Sequence, residues 1–503
     1  MKSISDTVEK KPWVGWLVFG ATVGAVIVAG LLASSIMERR SEAKQIGMVN
    51  PIADWEPRNE VWGANFPRQY ETYMDTKDTS FRSLNGGGAH RDYLEDYPNL
   101  VVLWAGYGFA KDYEQGRGHY YAVEDIRNTY RTNAGMPSTC WSCKSTDVPR
   151  VMEEQGVAEF YDGSWFDRGH EIVNTIGCQD CHDPKNMNLR ISRPALAEAL
   201  ARRGEDINDA THNEMRSLVC AQCHVEYYFD KSDGKKNYLT FPWDKGFSAE
   251  SMEEYYDEIE FSDWTHKLSK APMLKAQHPD YELYMTGIHA ERGVSCADCH
   301  MPYKSEGAVK FTDHKIQSPL NNVANSCQVC HRQSEQTLLE NVYSRQEKVM
   351  GLRKIVEQTL ATAHIEAKAA WDAGATEEEM KPALTLIRHA QWRWDWVAAA
   401  NGSGFHAPNT ALEVLGTSIQ KAEESRRLLA KILWTHGVTD PVPLPDISSK
   451  AKAQAYIGLD MAMEEEMKQK AKKEIFPEWD KKAAERQSKM DTPANVDDKK
   501  SDY

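Results

Sequence analysis

A mainly α-helical fold is what this 503-residue sequence predicts: loops and short helices over its first two thirds, then long C-terminal helices. Two observations predict it. After residue 335, apolar residues recur at helical spacing with charged faces between them. Before that point, Gly and Pro punctuate short segments, and all ten cysteines fall into five Cys-x-x-Cys pairs spaced 38, 42, 76 and 31 residues apart, with no fixed-period repeat.

The elements follow in order. Trp13–Met37 is one mostly apolar run of 25 residues, preceded by Lys10 and Lys11 and followed by Glu38, Arg39 and Arg40. It exceeds the ~20 residues a bilayer needs and the usual 7–15 of a signal-peptide core. An uncleaved anchor is the reading; Ala33-Ser34-Ser35 keeps cleavage open as the alternative. Residues 41 to about 130 mix loop signals, such as Gly86-Gly87-Gly88, with short helices, one around Tyr121–Thr129. Gly307 predicts a turn and Ala308–Ile316 a short strand. Glu335–Ala373, Thr376–Ala400 and Thr410–Thr435 read as long helices, the second and third parted by Gly402 and Gly404. A further polar helix is expected over Ser449–Ser488. The Asp- and Lys-rich residues 491–503 read as a disordered tail.

Four cysteine pairs are followed by histidine: Cys178-Cys181-His182, Cys220-Cys223-His224, Cys296-Cys299-His300 and Cys327-Cys330-His331. Two thioethers and an adjacent imidazole are the attachment chemistry of c-type haem. Zinc draws four ligands from two pairs, which leaves one of five pairs over. Disulfide frameworks belong to small loop-rich secreted domains. The sequence is therefore that of a mainly α multihaem cytochrome c, exported from the cytoplasm. It divides into an N-terminal anchor or signal segment (1–40), a five-haem catalytic region (41–335), a long-helix region (336–490) and the tail. A net charge of −15, from 75 acidic and 60 basic residues, excludes a nucleic-acid partner. It does not exclude an anionic substrate, because distant carboxylates are screened over ~8 Å.

The fifth pair, Cys140-Trp141-Ser142-Cys143, is followed by Lys144. Lysine ligates iron only as the neutral amine, the form that has a lone pair. A haem held by Lys144 and by no residue opposite has one face open to a small ligand. An ordinary surface lysine is the competing reading.

The chain resembles the pentahaem, ammonia-forming cytochrome c nitrite reductases over roughly residues 50 to 480. The resemblance rests on Cys140-Trp141-Ser142-Cys143-Lys144, on Cys220-Ala221-Gln222-Cys223-His224-Val225-Glu226-Tyr227-Tyr228-Phe229, and on Lys275-Ala276-Gln277-His278-Pro279. Cys299-His300-Met301-Pro302 and His389-Ala390-Gln391-Trp392-Arg393-Trp394 agree as well. It implies six-electron reduction of nitrite to ammonium on the open face of the Lys144 haem, lined by Arg131, Tyr227 and His278. Arg131 would hold an anion, His278 would donate a hydrogen bond or proton, and Tyr227 would order a proton relay. Arg131 paired to a haem propionate is the bland alternative.

Distal ligands cannot be read from spacing. By the resemblance, His314 completes the His182 haem, His119 the His224 haem, His406 the His300 haem and His289 the His331 haem. His364 and His389 stand as substitutes, while His170, His212, His266 and His436 read as polar or packed residues. One calcium ion is implied beside the active haem, on the side chains of Glu226 and Gln277 and the carbonyls of Tyr227 and Lys275. A homodimer and a membrane-bound multihaem quinol dehydrogenase as donor are implied too. A passive electron conduit with every haem six-coordinate is the rival class, and sulfite or hydroxylamine the rival substrates.

Overall fold

The computed structural model describes residues 11–45 and 49–490. The chain divides into two compact units, residues 1–52 and 53–503. In the first, a helix covers Pro12–Gln45. The 26 residues of its apolar part, Pro12–Met37, rise about 39 Å, more than the ~30 Å hydrocarbon core of a bilayer. Its apolar side chains, Trp16 and Leu31 among them, are exposed. The helix is long and apolar enough to cross a membrane, as signal sequences near an N-terminus also are.

The second unit is mainly helical. From Asn59 to Ser326 the described helices run to ten residues at most, and strands occur as three two-stranded antiparallel hairpins. The expected strand at Ala308–Ile316 is shorter and has a partner: Val309–Thr312 pairs with Tyr303–Glu306 across the Gly307-Ala308 turn, with Gly307 at φ +57. It stops at Thr312 because the Asp313 carboxylate accepts the Lys315 N–H at 3.0 Å, turning the chain.

The long helices run Glu335–Asp372, Glu377–Ala399 and Pro408–Thr435. Ser334 caps the first at the Thr337 N–H, Thr376 caps the second in a capping box with Glu379, and Pro408 opens the third. Small residues let the second and third approach closely: Ser418 Oγ donates to the Ala390 carbonyl at 2.6 Å and Ser425 Oγ to that of Ala383 at 3.1 Å. The polar helix expected over Ser449–Ser488 is broken. It forms as Lys450–Tyr456, Met461–Lys470, a π-turn at Ala471–Ile475, and Phe476–Met490. Gly458, at φ +68, ends the first piece, and the Asp460 side chain caps the next at the Met463 N–H. This last segment packs back onto the Cys140 region: Trp479 meets Trp165 at 5.1 Å between ring centroids, and Lys468 Nζ bonds the Arg127 carbonyl at 2.9 Å. Residues 491–503, expected as a tail, lie outside the described residues.

The first long helix carries one half of a buried imidazole pair, His364. His266 and His364 stack at 3.6 Å and 17°, with His364 between Ser269 Oγ at 2.9 Å and Gln391 Oε1 at 2.8 Å. Burial lowers the pKa of both, that of His364 to about 4. Each is neutral in the fold but takes a proton in the unfolded chain below ~6.5. The unfolded state thus binds more protons from about pH 6.5 down to 4, and stability falls as pH drops through that window. His364 alone costs about 2 kcal/mol by pH 5. The urea midpoint is expected to fall more steeply between pH 6.5 and 5 in the wild type than in a His364→Gln variant; equal slopes refute this.

Candidate active site

Each cysteine pair closes a helical turn, so residues three apart put both sulfurs on one side. In three histidine motifs the histidine N–H reaches back four residues: His182 to Cys178, His224 to Cys220 and His331 to Cys327, each at 2.9 Å. The lysine motif is tighter. It begins inside the 3₁₀ turn Ser138–Trp141, and the Lys144 N–H bonds the Trp141 carbonyl three residues back, at 2.9 Å. The motifs are contiguous. The thiol of Cys143 contacts that of Cys223, Cys220 contacts Cys296, and Cys299 neighbours Cys327, while Cys181 lies beside Cys220.

Every histidine that follows a cysteine pair faces a second histidine. Ring centroids are 6.3 Å apart for His182 and His314, 6.3 Å for His224 and His119, 6.4 Å for His300 and His406, and 6.3 Å for His331 and His289. An imidazole nitrogen sits about 2.0–2.1 Å from a bound first-row metal, so two rings sharing one metal put their centroids about 6 Å apart. Nδ1 is engaged at His182, His300 and His314 by the carbonyls of Met187, Gln317 and Thr312 at 2.8–2.9 Å, which leaves Nε2 as the lone-pair nitrogen. His406 sits in the turn between the second and third long helices. Glycine is required around it, since a Cβ at Gly402 would overlap its imidazole and one at Gly287 its carbonyl oxygen. The substitutes are occupied elsewhere: His364 in the buried pair, and His389 by Asp257 at 2.6 Å. His170 and His436 pair with Glu171 and Glu379.

Around Lys144 the structure gathers the residues singled out from sequence. Its side-chain nitrogen is within electrostatic range of Cys140, Cys143, His119, His224 and His278. Tyr227 lies near Cys140, Cys143 and Tyr107, and burial raises its pKa well above the usual value, so the hydroxyl stays a donor. The Arg131 guanidinium lies 4.3 Å over the Phe109 ring, within range of Cys140, and its Nε donates to Thr129 Oγ1 at 3.2 Å. Among the described residues it makes no ion pair. The adjacent Arg127 does, with Asp480 at 2.8 Å. His278 directs Nδ1 to Asp280 Oδ2 at 3.2 Å.

Behind this pocket lies an oxygen-rich cluster. Fully buried Glu226 accepts the Gln277 N–H at 2.6 Å and the Tyr256 hydroxyl at 3.0 Å, while the Lys275 carbonyl meets the Gln277 amide at 3.0 Å. The Lys275 ammonium is turned away to Asp395 at 2.8 Å, a pair with both side chains 1% exposed. Asp395 stands on the second long helix, so that helix fixes the loop carrying Gln277 and His278. Burial pushes the pKa of Glu226 well up and that of Glu282 to about 8.

Sequence reasoning missed two residues here. Arg193, fully buried, pairs with Asp180 at 2.7 Å and bonds the carbonyls of Ser142 at 2.8 Å and Ser145 at 2.7 Å, on either side of Lys144. Asp280 is the other. Burial opposes its ionisation, but the imidazoles of His224 and His278 hold its pKa well below the usual carboxylate range. Neither belongs to a local motif, and nothing in the sequence around them marks either out.

Five neighbouring cysteine-pair turns, four of them with a second histidine ring 6.3–6.4 Å from the motif histidine, define a multihaem c-type cytochrome, an electron-transferring oxidoreductase fold. The family model described as cytochrome c552 matches residues 58–489. The chain belongs to the cytochrome c552 family. Among curated relatives it is 57% identical to a cytochrome c-552 of Parabacteroides distasonis over 94% of this chain and 97% of that one, and 58% identical to one of Bacteroides fragilis over the same shares. It is also similar to the solved catalytic subunit of the cytochrome c nitrite reductase of Desulfovibrio desulfuricans, a structure reported for the relevance of its two calcium sites. That match has a TM-score of 0.73 and 31% identity, and covers 82% of this chain and 91% of that one.

Proposed function

We propose that this protein reduces nitrite to ammonium at the haem attached through Cys140 and Cys143 and ligated by Lys144, fed by four bis-histidine haems. The carrying observation is the single lysine motif, with Arg131, Tyr227 and His278 assembled around it. The four histidine pairs at 6.3–6.4 Å support the ligand assignment. Bound through Cys140, Cys143 and Lys144, a haem would supply electrons and a binding site for the substrate nitrogen. The chain supplies the rest. Arg131, free of a carboxylate partner among the described residues, offers charge-assisted hydrogen bonds to nitrite oxygens, worth roughly 1.5–3 kcal/mol each. Tyr227, kept protonated by burial, donates to the bound anion. His278, with Nδ1 held by Asp280, would relay protons through Nε2, taking up each one from outside the pocket and passing it on as the two oxygens leave as water. Contact between the cysteine motifs supports rapid refilling with electrons, which six-electron chemistry requires if intermediates are to stay bound.

Calcium is the proposed occupant of the Glu226 cluster. A buried carboxylate whose nearest lysine is already paired, with carbonyl and amide oxygens beside it, fits a hard cation. Gln277, Lys275, Glu226 and the Tyr227 carbonyl would hold it and so brace Tyr227 and His278. The helix at Pro12–Met37 supports an extracytoplasmic enzyme anchored in the cytoplasmic membrane; the family resemblance makes a membrane-bound multihaem quinol dehydrogenase the proposed donor. The exposed Ile355 and Trp434 of the long helices support a homodimer through that region.

The test is haem stoichiometry together with products. Five haems, ammonium as the main product of nitrite, and binding of an added small ligand at one reduced haem in five are expected. A protein that binds none, with all haems six-coordinate, is a conduit instead. A higher kcat/KM for sulfite than for nitrite would change the substrate.

A further inference from the structure

The iron-facing histidines differ in what meets their second nitrogen. At His182, His300 and His314 a neutral backbone carbonyl accepts from Nδ1. At His224 and His406 the facing group is the carboxylate of Asp280, itself buried: Oδ2 lies 3.7 Å from His224 Nδ1 and Oδ1 4.0 Å from His406 Nδ1. His406 Nδ1 is buried and has no hydrogen-bond partner, so this carboxylate is the anion it faces. The same Oδ2 takes the His278 Nδ1 at 3.2 Å. Asp280 is fixed in turn by the Gly402 N–H at 2.9 Å and Asn401 Nδ2 at 3.3 Å, from the turn that carries His406.

Resting on the ligand assignment above, we propose that Asp280 orients His278 in the pocket through a hydrogen bond and, through its charge, lowers the potentials of the haems ligated by His224 and by His406. A carboxylate facing the Nδ1 side of an imidazole makes it a more basic ligand, and its charge favours the ferric state. The placement matters for function. Through Cys143 and Cys223 the His224 haem adjoins the Lys144 haem, and through Cys220 and Cys296 it adjoins the haem that His406 completes. One carboxylate therefore acts on the pocket and on the two carriers nearest it in the run.

Asp280→Asn in the full chain keeps the shape and removes the charge. Spectroelectrochemical titration is expected to show higher midpoint potentials at two of the five haems and unchanged values at three. Turnover of nitrite is expected to fall about 10- to 100-fold, with kcat affected more than KM. A wild type with four low-spin bis-imidazole haems and a variant with the same five midpoints overturns the proposal. A wild type lacking those four signatures overturns the ligand assignment beneath it instead. Should Asp280→Asn not load five haems, Asp280→Glu, which moves the charge, is titrated: shifts confined to the same two haems support the proposal, and unchanged midpoints refute it.

Discussion

Replacing His278 by alanine is expected to leave five haems attached and to lower nitrite turnover by about 10²- to 10⁴-fold, the usual contribution of a positioned acid–base group. The geometry argues for an effect on chemistry rather than on folding. His278 follows Gln277, whose N–H is bound by Glu226, and precedes Asp280, which is anchored at Gly402. The loop is therefore held by its backbone and by its neighbours, and survives loss of the ring. What disappears, on the proposed mechanism, is the nitrogen that hands protons to departing oxygens beside Lys144. Ammonium formation with a reduced artificial donor measures this. Turnover within twofold of the wild type would remove His278 from the mechanism.

Arg193→Ala is expected to produce the largest loss of stability, about 3–5 kcal/mol, because a buried carboxylate is left without its partner. Arg193 and Asp180 are 1% and 5% exposed. The same guanidinium holds the carbonyls of Ser142 and Ser145, which bracket Lys144, so the lysine turn loses its brace along with the charge pair. Lysine at this position is expected to recover only part of the loss, since a point charge cannot serve Asp180 and two carbonyls in one plane. Urea unfolding of the haem-loaded protein measures the effect. A loss below about 1 kcal/mol would show that the site relaxes around the missing side chain.

Much of the fold was legible because its signals are local. The long helices announce themselves through periodicity and through caps such as Ser334 and the Thr376–Glu379 box. The helix expected over Ser449–Ser488 was misjudged because its polar texture hid Gly458, whose positive φ breaks it. The hairpin partner Tyr303–Glu306 was missed because a half-exposed four-residue strand carries little pattern. In the site, attachment residues are readable because thioether chemistry demands contiguous residues. Distal histidines are not, since they lie 42 to 132 residues from the rings they face; a family resemblance, not spacing, pointed to them.

By itself the sequence determined that there are five haem-attachment motifs, that one of them ends in lysine where the others end in histidine, and that long helices follow. It could do so because covalent attachment and helical periodicity are short-range properties of a chain. Only the tertiary structure decided which imidazole faces which, that the lysine turn is braced by Arg193, and that a single carboxylate, Asp280, meets three rings. Those are matters of distance between residues far apart in the chain, and burial gives the charges among them their strength.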